Sequence, residues 1–384
     1  MKLHPSLNPF LWLVALWVVF ITACNGPAAP TAAPATEAAT TAAPATTAAP
    51  AATVSPTGDL PAGTERLAVM THDSFNVSPE VVTAFETANH VKLEFLHSGD
   101  AGAALNQAIL SKDNPLADVF FGVDNTFFSR AIDAGIFKAY ASPRLADVPD
   151  ALKLDPENRL LPVDFGDVCF NYDKAWFAAK KLPPPGSLQD LTKPEYKGLT
   201  VVENPATSSP GLAFLLATVA QFGETGYLDY WRQLKANDVL VSDGWEDAYY
   251  TQFSRYEGAR PIVLSYASSP PAEVYFAKTP LTEAPTASLV TKGSCFRQIE
   301  FAGILAGTKK PELAQKLIDF MLSPAFQEDI PLQMFVFPAN QTAKLPEVFT
   351  KYAQQADNPA TLPPNTIATN REAWLNAWTE TVLR

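Results

Sequence analysis

The chain has 384 residues and a mass of 41.5 kDa, with 47% hydrophobic and 18% charged residues, enough for two domains with cores of their own. Its 28 Lys and Arg stand against 40 Asp and Glu, a formal net charge of −12, which argues against nucleic acid as a partner because phosphate binding needs a basic footprint. The four histidines (His4, His72, His90, His97) and three cysteines (Cys24, Cys169, Cys295) lie far apart and show no CxxC or HExxH spacing, so no metal site is expected. The Walker, GxGxxG and GxSxG patterns are absent, which lowers the expectation of nucleotide or hydrolase chemistry.

The chain opens with Lys2 and then an apolar run over 10–21 (FLWLVALWVVFI). Such a run is too short to span a bilayer of ~30 Å but fits the h-region of a secretory signal. It ends in Ile21-Thr22-Ala23-Cys24, and small residues before a single cysteine resemble the lipobox of bacterial lipoproteins. That likeness implies a signal peptide over 1–23 and a lipidated Cys24; the alternative is an ordinary signal with an incidental cysteine. Acyl chains on Cys24 would anchor the chain, each buried CH2 contributing ~0.8 kcal/mol. Up to residue 64 the composition then collapses to Ala, Pro and Thr, which cannot build a core. Recurring prolines interrupt the helix that alanine favours, so 24–64 reads as a disordered tether that fully extended would reach ~100 Å.

From residue 65 onward short apolar runs alternate with helical patterns, an α/β signature. Strands are expected at 67–71, 91–96, 118–122, 199–203, 262–266 and 298–304. Helices are expected at 79–89, 103–111, 211–222, 227–236, 245–257, 310–322 and 372–383. Four helix starts carry Ser-Pro (Ser78-Pro79, Ser209-Pro210, Ser269-Pro270, Ser323-Pro324), where the serine oxygen can cap free N–H groups and proline at the first position loses no bond. Two of these starts follow strands directly. Ligands of open α/β sheets sit beyond the carboxyl ends of strands, so the loops 204–211 and 267–270 are candidate contacts for a polar or anionic group; two capped helices without a ligand are the alternative.

Several stretches in order carry a resemblance: THDSF (71–75), ADVFFGVDN (117–125), VDFGDVCFNYDK (163–174), TSSPGLAFLL (207–216), DGWEDAY (243–249), LSYASSP (264–270) and KPELAQKLIDFMLSPAFQEDIP (310–331). The body from about residue 67 to the end resembles the thiamine-binding proteins of bacterial ABC importers. The pair TSSPG and LSYASSP with DGWEDAY between them is the most specific part. The resemblance implies a two-lobe periplasmic binding protein-like fold (type II), with the ligand cleft between lobes joined by crossing strands near 161–172 and 295–302. Lobe one would comprise 65–165 with 300–384, and lobe two 166–299. Carried over position by position, the ligand contacts fall on Asp100, Ala101, Ser208, Ser209, Trp245, Tyr266, Ala267, Ser268, Ser269 and Pro270. A thiazolium is a permanent cation, so Asp100 would supply a counter-charge and Trp245 or Tyr266 a ring face worth ~2 kcal/mol when desolvated. The serines would take the hydroxyethyl tail or a phosphate on it. Plain capping by Asp100, Ser208 and Ser209, and core packing by Trp245 and Tyr266, are the structural alternatives.

The sequence also departs from the family. His72 and Phe335 stand where tyrosine and tryptophan are expected, and Ala272 replaces a further tyrosine, with Tyr275 one turn on. His72 and Phe335 remain in the expected ligand set, although a protonated His72 would repel a thiazolium. The crossing strands place Cys169 and Cys295 close enough to pair, and a disulfide persists in an exported chain. The expected function is extracytoplasmic capture of thiamine or a thiamine phosphate by a lipid-anchored monomer. It hands the solute to ABC permease subunits, with no cofactor, no metal and no catalysis. Two rivals stand beside it: a binding protein of the same fold for iron or another small solute, and a thiaminase-like enzyme with Cys169 as nucleophile.

Overall fold

The computed structural model describes residues 65–384; the signal, Cys24 and the tether expected over 1–64 lie outside the described residues. Eleven strands join in one mixed sheet among them. They are β1 (Glu65–Thr71), β2 (Val91–His97), β3 (Val119–Asp124), β4 (Phe137–Lys138), β5 (Leu161–Asp173), β6 (Thr200–Glu203), β7 (Leu240–Ser242), β8 (Ile262–Tyr266), β9 (Thr286–Ser288), β10 (Phe296–Leu305) and β11 (Phe337–Pro338). Eight run in the order β2-β1-β3-β10-β5-β8-β6-β7. The first three are parallel to one another, as are β8, β6 and β7. Between these two parallel halves, β10 and β5 run antiparallel to each other and to their outer neighbours. The long β5 pairs with β10 through its first half and with β8 and β9 through its second, so one strand serves both halves.

Parallel strands covered on both faces read as continuous apolar runs. That is the character of β3, whose VFFGVD is buried at all six positions; the antiparallel β10 is as deeply buried, with only Arg297 partly exposed, although it carries Gln298 and Glu300. All six expected strands are present, with ends moved by two residues at most. The four short ones, β4, β7, β9 and β11, were not expected, since two or three residues carry no readable period.

The helices follow the sequence less evenly. Pro79–Asn89 falls where expected. Expected helices 211–222 and 227–236 are two arms of one element, Ser209–Ala236, broken by Gly223 at φ 75° and ψ 170°. The C-terminal helix, Pro364–Val382, starts eight residues before the expected 372, directly behind Pro363. The helix expected over 245–257 is shorter and irregular: an α turn at Trp245–Asp247 runs without a break into a π turn at Ala248–Gln252, and after the extended Phe253 a separate 3-10 turn covers Ser254–Tyr256. The Ser-Pro expectation also needs correction. Proline opens all four helices, but the side chains of Ser78, Ser269 and Ser323 cap nothing. At the Ser209–Ala236 helix the cap is Ser208, whose Oγ accepts from the Gly211 N–H at 3.5 Å.

Cys169 on β5 and Cys295 at the entry to β10 form a disulfide, with Cα atoms 4.5 Å apart. Both are fully buried beside Ala267 and Ala356. Cys169 therefore has no free thiolate to act as a nucleophile.

Candidate solute-binding site

The carboxyl ends of the parallel strands in both halves meet. From the first half come His72 after β1 and the Ser98–Asp100 turn after β2. From the second come the loop 204–208 after β6, the Trp245 turn after β7 and the segment 267–270 after β8. Asp100 spans the gap. Its Oδ1 caps the Ala101–Leu110 helix through the Ala101 N–H at 2.6 Å and accepts from the Ser209 N–H at 3.3 Å, while Oδ2 accepts from the Trp245 N–H at 3.1 Å. Gly99 (φ 83°) makes the turn that aims it. The alternative that Asp100 only caps a helix is therefore too small: one carboxylate holds three main-chain donors from two halves.

Side-chain links continue the constellation. The Tyr266 hydroxyl donates to Gln298 Oε1 at 3.0 Å, and Gln298 Nε2 donates to Ser209 Oγ at 2.9 Å. Trp245 Nε1 donates to Ser265 Oγ at 2.9 Å, and Ser265 and Ser269 hydroxyls bond each other at 2.9 Å. Ser269 Oγ also accepts from the Tyr266 N–H. The Trp245 ring stacks on Tyr249 at 4.9 Å, so one of its faces is already covered.

The expected residues divide accordingly. Asp100, Ser209, Trp245, Tyr266 and Ser269 share one hydrogen-bonded group. Ala101, Ser208 and Pro270 are buried helix starts beside it. Ala267 is buried against the disulfide, and Ser268 Oγ is buried without a partner. His72 stands 3.4 Å from Glu300 Oε1. Phe335, at φ 56°, meets Tyr275 and Phe276 at centroid distances of 6.1 and 5.5 Å, and these last two rings are 48% and 62% exposed.

Sequence reasoning missed the carboxyls around this group. Asp124, Asp164 and Glu300 lie beneath it, and Asp73 and Glu246 flank it. Burial alone lowers the His72 pKa, but attraction to Glu300, with Asp100 and Asp73 beyond, reverses this and raises it. Burial pushes Glu300 up, but the charge of His72, together with hydrogen bonding from His72 and Asp164, holds it below its ordinary value. Burial, then repulsion from Glu300, drives Asp164 well above the usual carboxylate range. Asp124 is pushed up to about 7, chiefly by burial. Burial and Asp73 also raise Glu246. The cleft is thus lined by more carboxyls than cations, which suits a positively charged solute. Among the described residues no group of three His, Cys, Asp or Glu is placed to hold a metal ion.

A sheet whose two parallel halves present their strand ends to one shared cleft defines a protein that captures small solutes. The chain belongs to the bacterial extracellular solute-binding protein family, whose sequence profile matches residues 114–356. Among curated proteins it is 33% identical over 324 residues to the thiamine-binding periplasmic protein of Escherichia coli K12, covering 83% of this chain and 94% of that one. It is 32% identical over 323 residues to the thiamine-binding periplasmic protein of Salmonella typhimurium LT2, with the same coverage. A solved periplasmic thiamin binding protein superposes with a TM-score of 0.74 at 30% identity, over 85% of this chain and all of the other. The fold is the two-lobe periplasmic binding protein type, with β5 and β10 as the crossing strands.

Proposed function

We propose that this protein captures thiamine or a thiamine phosphate outside the cytoplasm and delivers it to an ABC permease, held to the membrane by a lipid on Cys24. The lobes are 65–165 with 300–384, and 166–299, and they close on the solute without chemistry of their own. The carrying observation is the Asp100 carboxylate, placed across the cleft among Ser209, Trp245 and Tyr266 where a cationic ring would need a counter-charge and an aromatic face. The names of the relatives support the same solute. The Ser208–Pro210 helix start would receive the alcohol or phosphate end. Phe335, Tyr275 and Phe276 form an aromatic rim that would replace the rings lost at His72 and Ala272.

Calorimetric titration of the detergent-solubilised full-length chain with thiamine, its mono- and diphosphate, and its separate pyrimidine and thiazole halves tests this. One-to-one binding of a thiamine species at micromolar or tighter affinity is expected, and Asp100→Asn or Trp245→Ala should each weaken it at least tenfold, about 1.4 kcal/mol. Unchanged affinity in both variants would remove the assigned site. A folded chain giving no heat with any of these compounds would move the cleft to another solute.

A further inference from the structure

Three adjacent strands set three carboxyls side by side under the cleft. In the pairing of β10 with its neighbours, Glu300 lies opposite Asp124 of β3 on one side and Asp164 of β5 on the other. Asp124 and Asp164 are 0% exposed and Glu300 is 7% exposed. Like charges directly opposite in a sheet repel, and burial multiplies the repulsion. The donors available are few. Asp124 Oδ1 accepts from the Thr126 N–H at 2.5 Å, but its Oδ2 and both oxygens of Asp164 meet no donor. The Glu300 carboxyl stands directly across the ladder from Asp164. Buried carboxyls this closely placed and short of donors do not all ionise, so the row keeps at least one proton. The Thr126 hydroxyl, fully buried and also unpartnered, lies beside it.

The side chains of His72 and Glu300 retain 13% and 10% exposure, so the row meets solvent at that end. Tyr266 of β8 lies directly on it: a Cβ at Gly166 of β5 would stand 2.8 Å from the Tyr266 ring, and the hydroxyl reaches Gln298, two residues from Glu300 on the same strand. Glu300, Asp100, Asp124 and Asp164 all act on that phenol. The other charged groups facing the row come from every neighbouring element. Asp73 follows β1, Asp100 follows β2, Glu246 and His97 face each other near Trp245, and Arg371 of the C-terminal helix acts on Asp124.

We propose that Asp124, Asp164 and Glu300, with His72, are a further part of the solute site: a proton-holding floor that releases a proton to solvent when a cationic solute is captured above it. The proposal rests on the reading that the solute is a thiamine species. A permanent cation over the floor stabilises the ionised carboxyls and disfavours the imidazolium, so both kinds of group respond in the same direction. An O–H bond of Asp124 or Asp164, or the N–H of protonated His72, breaks; its proton passes to water and then to buffer; no other bond changes. Asp124 titrates near neutrality, at about 7, so the release falls in the physiological range. Solute affinity then rises with pH across that range.

The test is calorimetric titration of the full-length chain with thiamine at pH 7 in phosphate and in Tris, buffers of small and large ionisation enthalpy, followed by a pH series. The expected result is a binding enthalpy that differs between the buffers in the sense of proton release. Affinity should tighten about three- to tenfold from pH 6 to pH 8. Asp124→Asn and Asp164→Asn keep shape and hydrogen-bonding capacity, and whichever of them folds should flatten both dependences. Equal enthalpies in the two buffers with a flat pH profile, in a chain that binds thiamine, would overturn the floor and leave the thiamine reading standing. A folded chain that gives no thiamine heat in either buffer would overturn both.

Discussion

Glu203 ends β6 with both carboxyl oxygens buried and without a partner, just before the loop that carries Ser208 and Ser209. Burial, then the charge of Asp100, lifts its pKa well above the ordinary value. The folded chain therefore keeps it neutral where the unfolded chain ionises it. The stability it contributes is complete below the free carboxyl's value of ~4.3 and drains away as pH rises through the folded value. Glu203→Gln removes that dependence at nearly constant shape. The difference in thermal midpoint between variant and parent should move in the variant's favour from pH about 5 to about 8, and a constant difference would mean Glu203 ionises equally in both states. Asp100, Ser209 and Trp245 are picked out by the family resemblance, position by position, whereas pattern alone points only to the loops 204–211 and 267–270. Neither points to Asp124, Asp164 or Glu300. Within LPVDFGDV and FRQIEFAGIL an acidic residue among apolar ones reads as the wet side of a half-buried strand. Only the register of three strands brings these side chains together, and no one segment encodes a register.

Two elements show where local pattern loses to tertiary packing. The stretch after Trp245 has helical spacing, yet Trp245, Tyr249, Tyr250, Phe253 and Tyr256 pack on one another at centroid distances of 4.9 to 5.7 Å, with Tyr249 at the centre. An ideal helix would set four of these rings on one stripe and leave Tyr250 off it; here the α turn passes into a π turn over 245–252, the chain breaks at Phe253, and Tyr250 joins the same cluster. At Gly223 the opposite holds, and the sequence break is visible in the structure. A Cβ there would meet nothing within 4 Å, so the backbone angle alone demands glycine. Gly223→Ala should cost ~1–2 kcal/mol, measured by urea denaturation, with solute affinity unchanged. A neutral outcome would mean that the two arms straighten into one continuous helix. β3, β6 and β8 are readable because nearly every position in them is buried, whereas the short β4, β9 and β11 owe their existence to neighbours distant in the chain.

At the scale of the molecule, β5 and β10 carry the disulfide, the carboxyl row and the connection between the halves. The Cys169–Cys295 bond closes a loop of 126 residues that contains most of the second half. On the chain-entropy account such a loop contributes roughly 4–5 kcal/mol, and the Cys169→Ser, Cys295→Ser double variant should lose about that much in guanidinium denaturation. Loss of under about 1 kcal/mol would mean that the unfolded chain is already restrained without the bond. The Asp100 clasp has a different kind of consequence. It grips the main-chain N–H groups of Ser209 and Trp245, which every residue but proline possesses. Side chains at the clasped positions can therefore be exchanged over generations without unfastening the two halves. A lineage carrying this cleft is free to change its cargo by ordinary substitution while inheriting the same means of shutting around it.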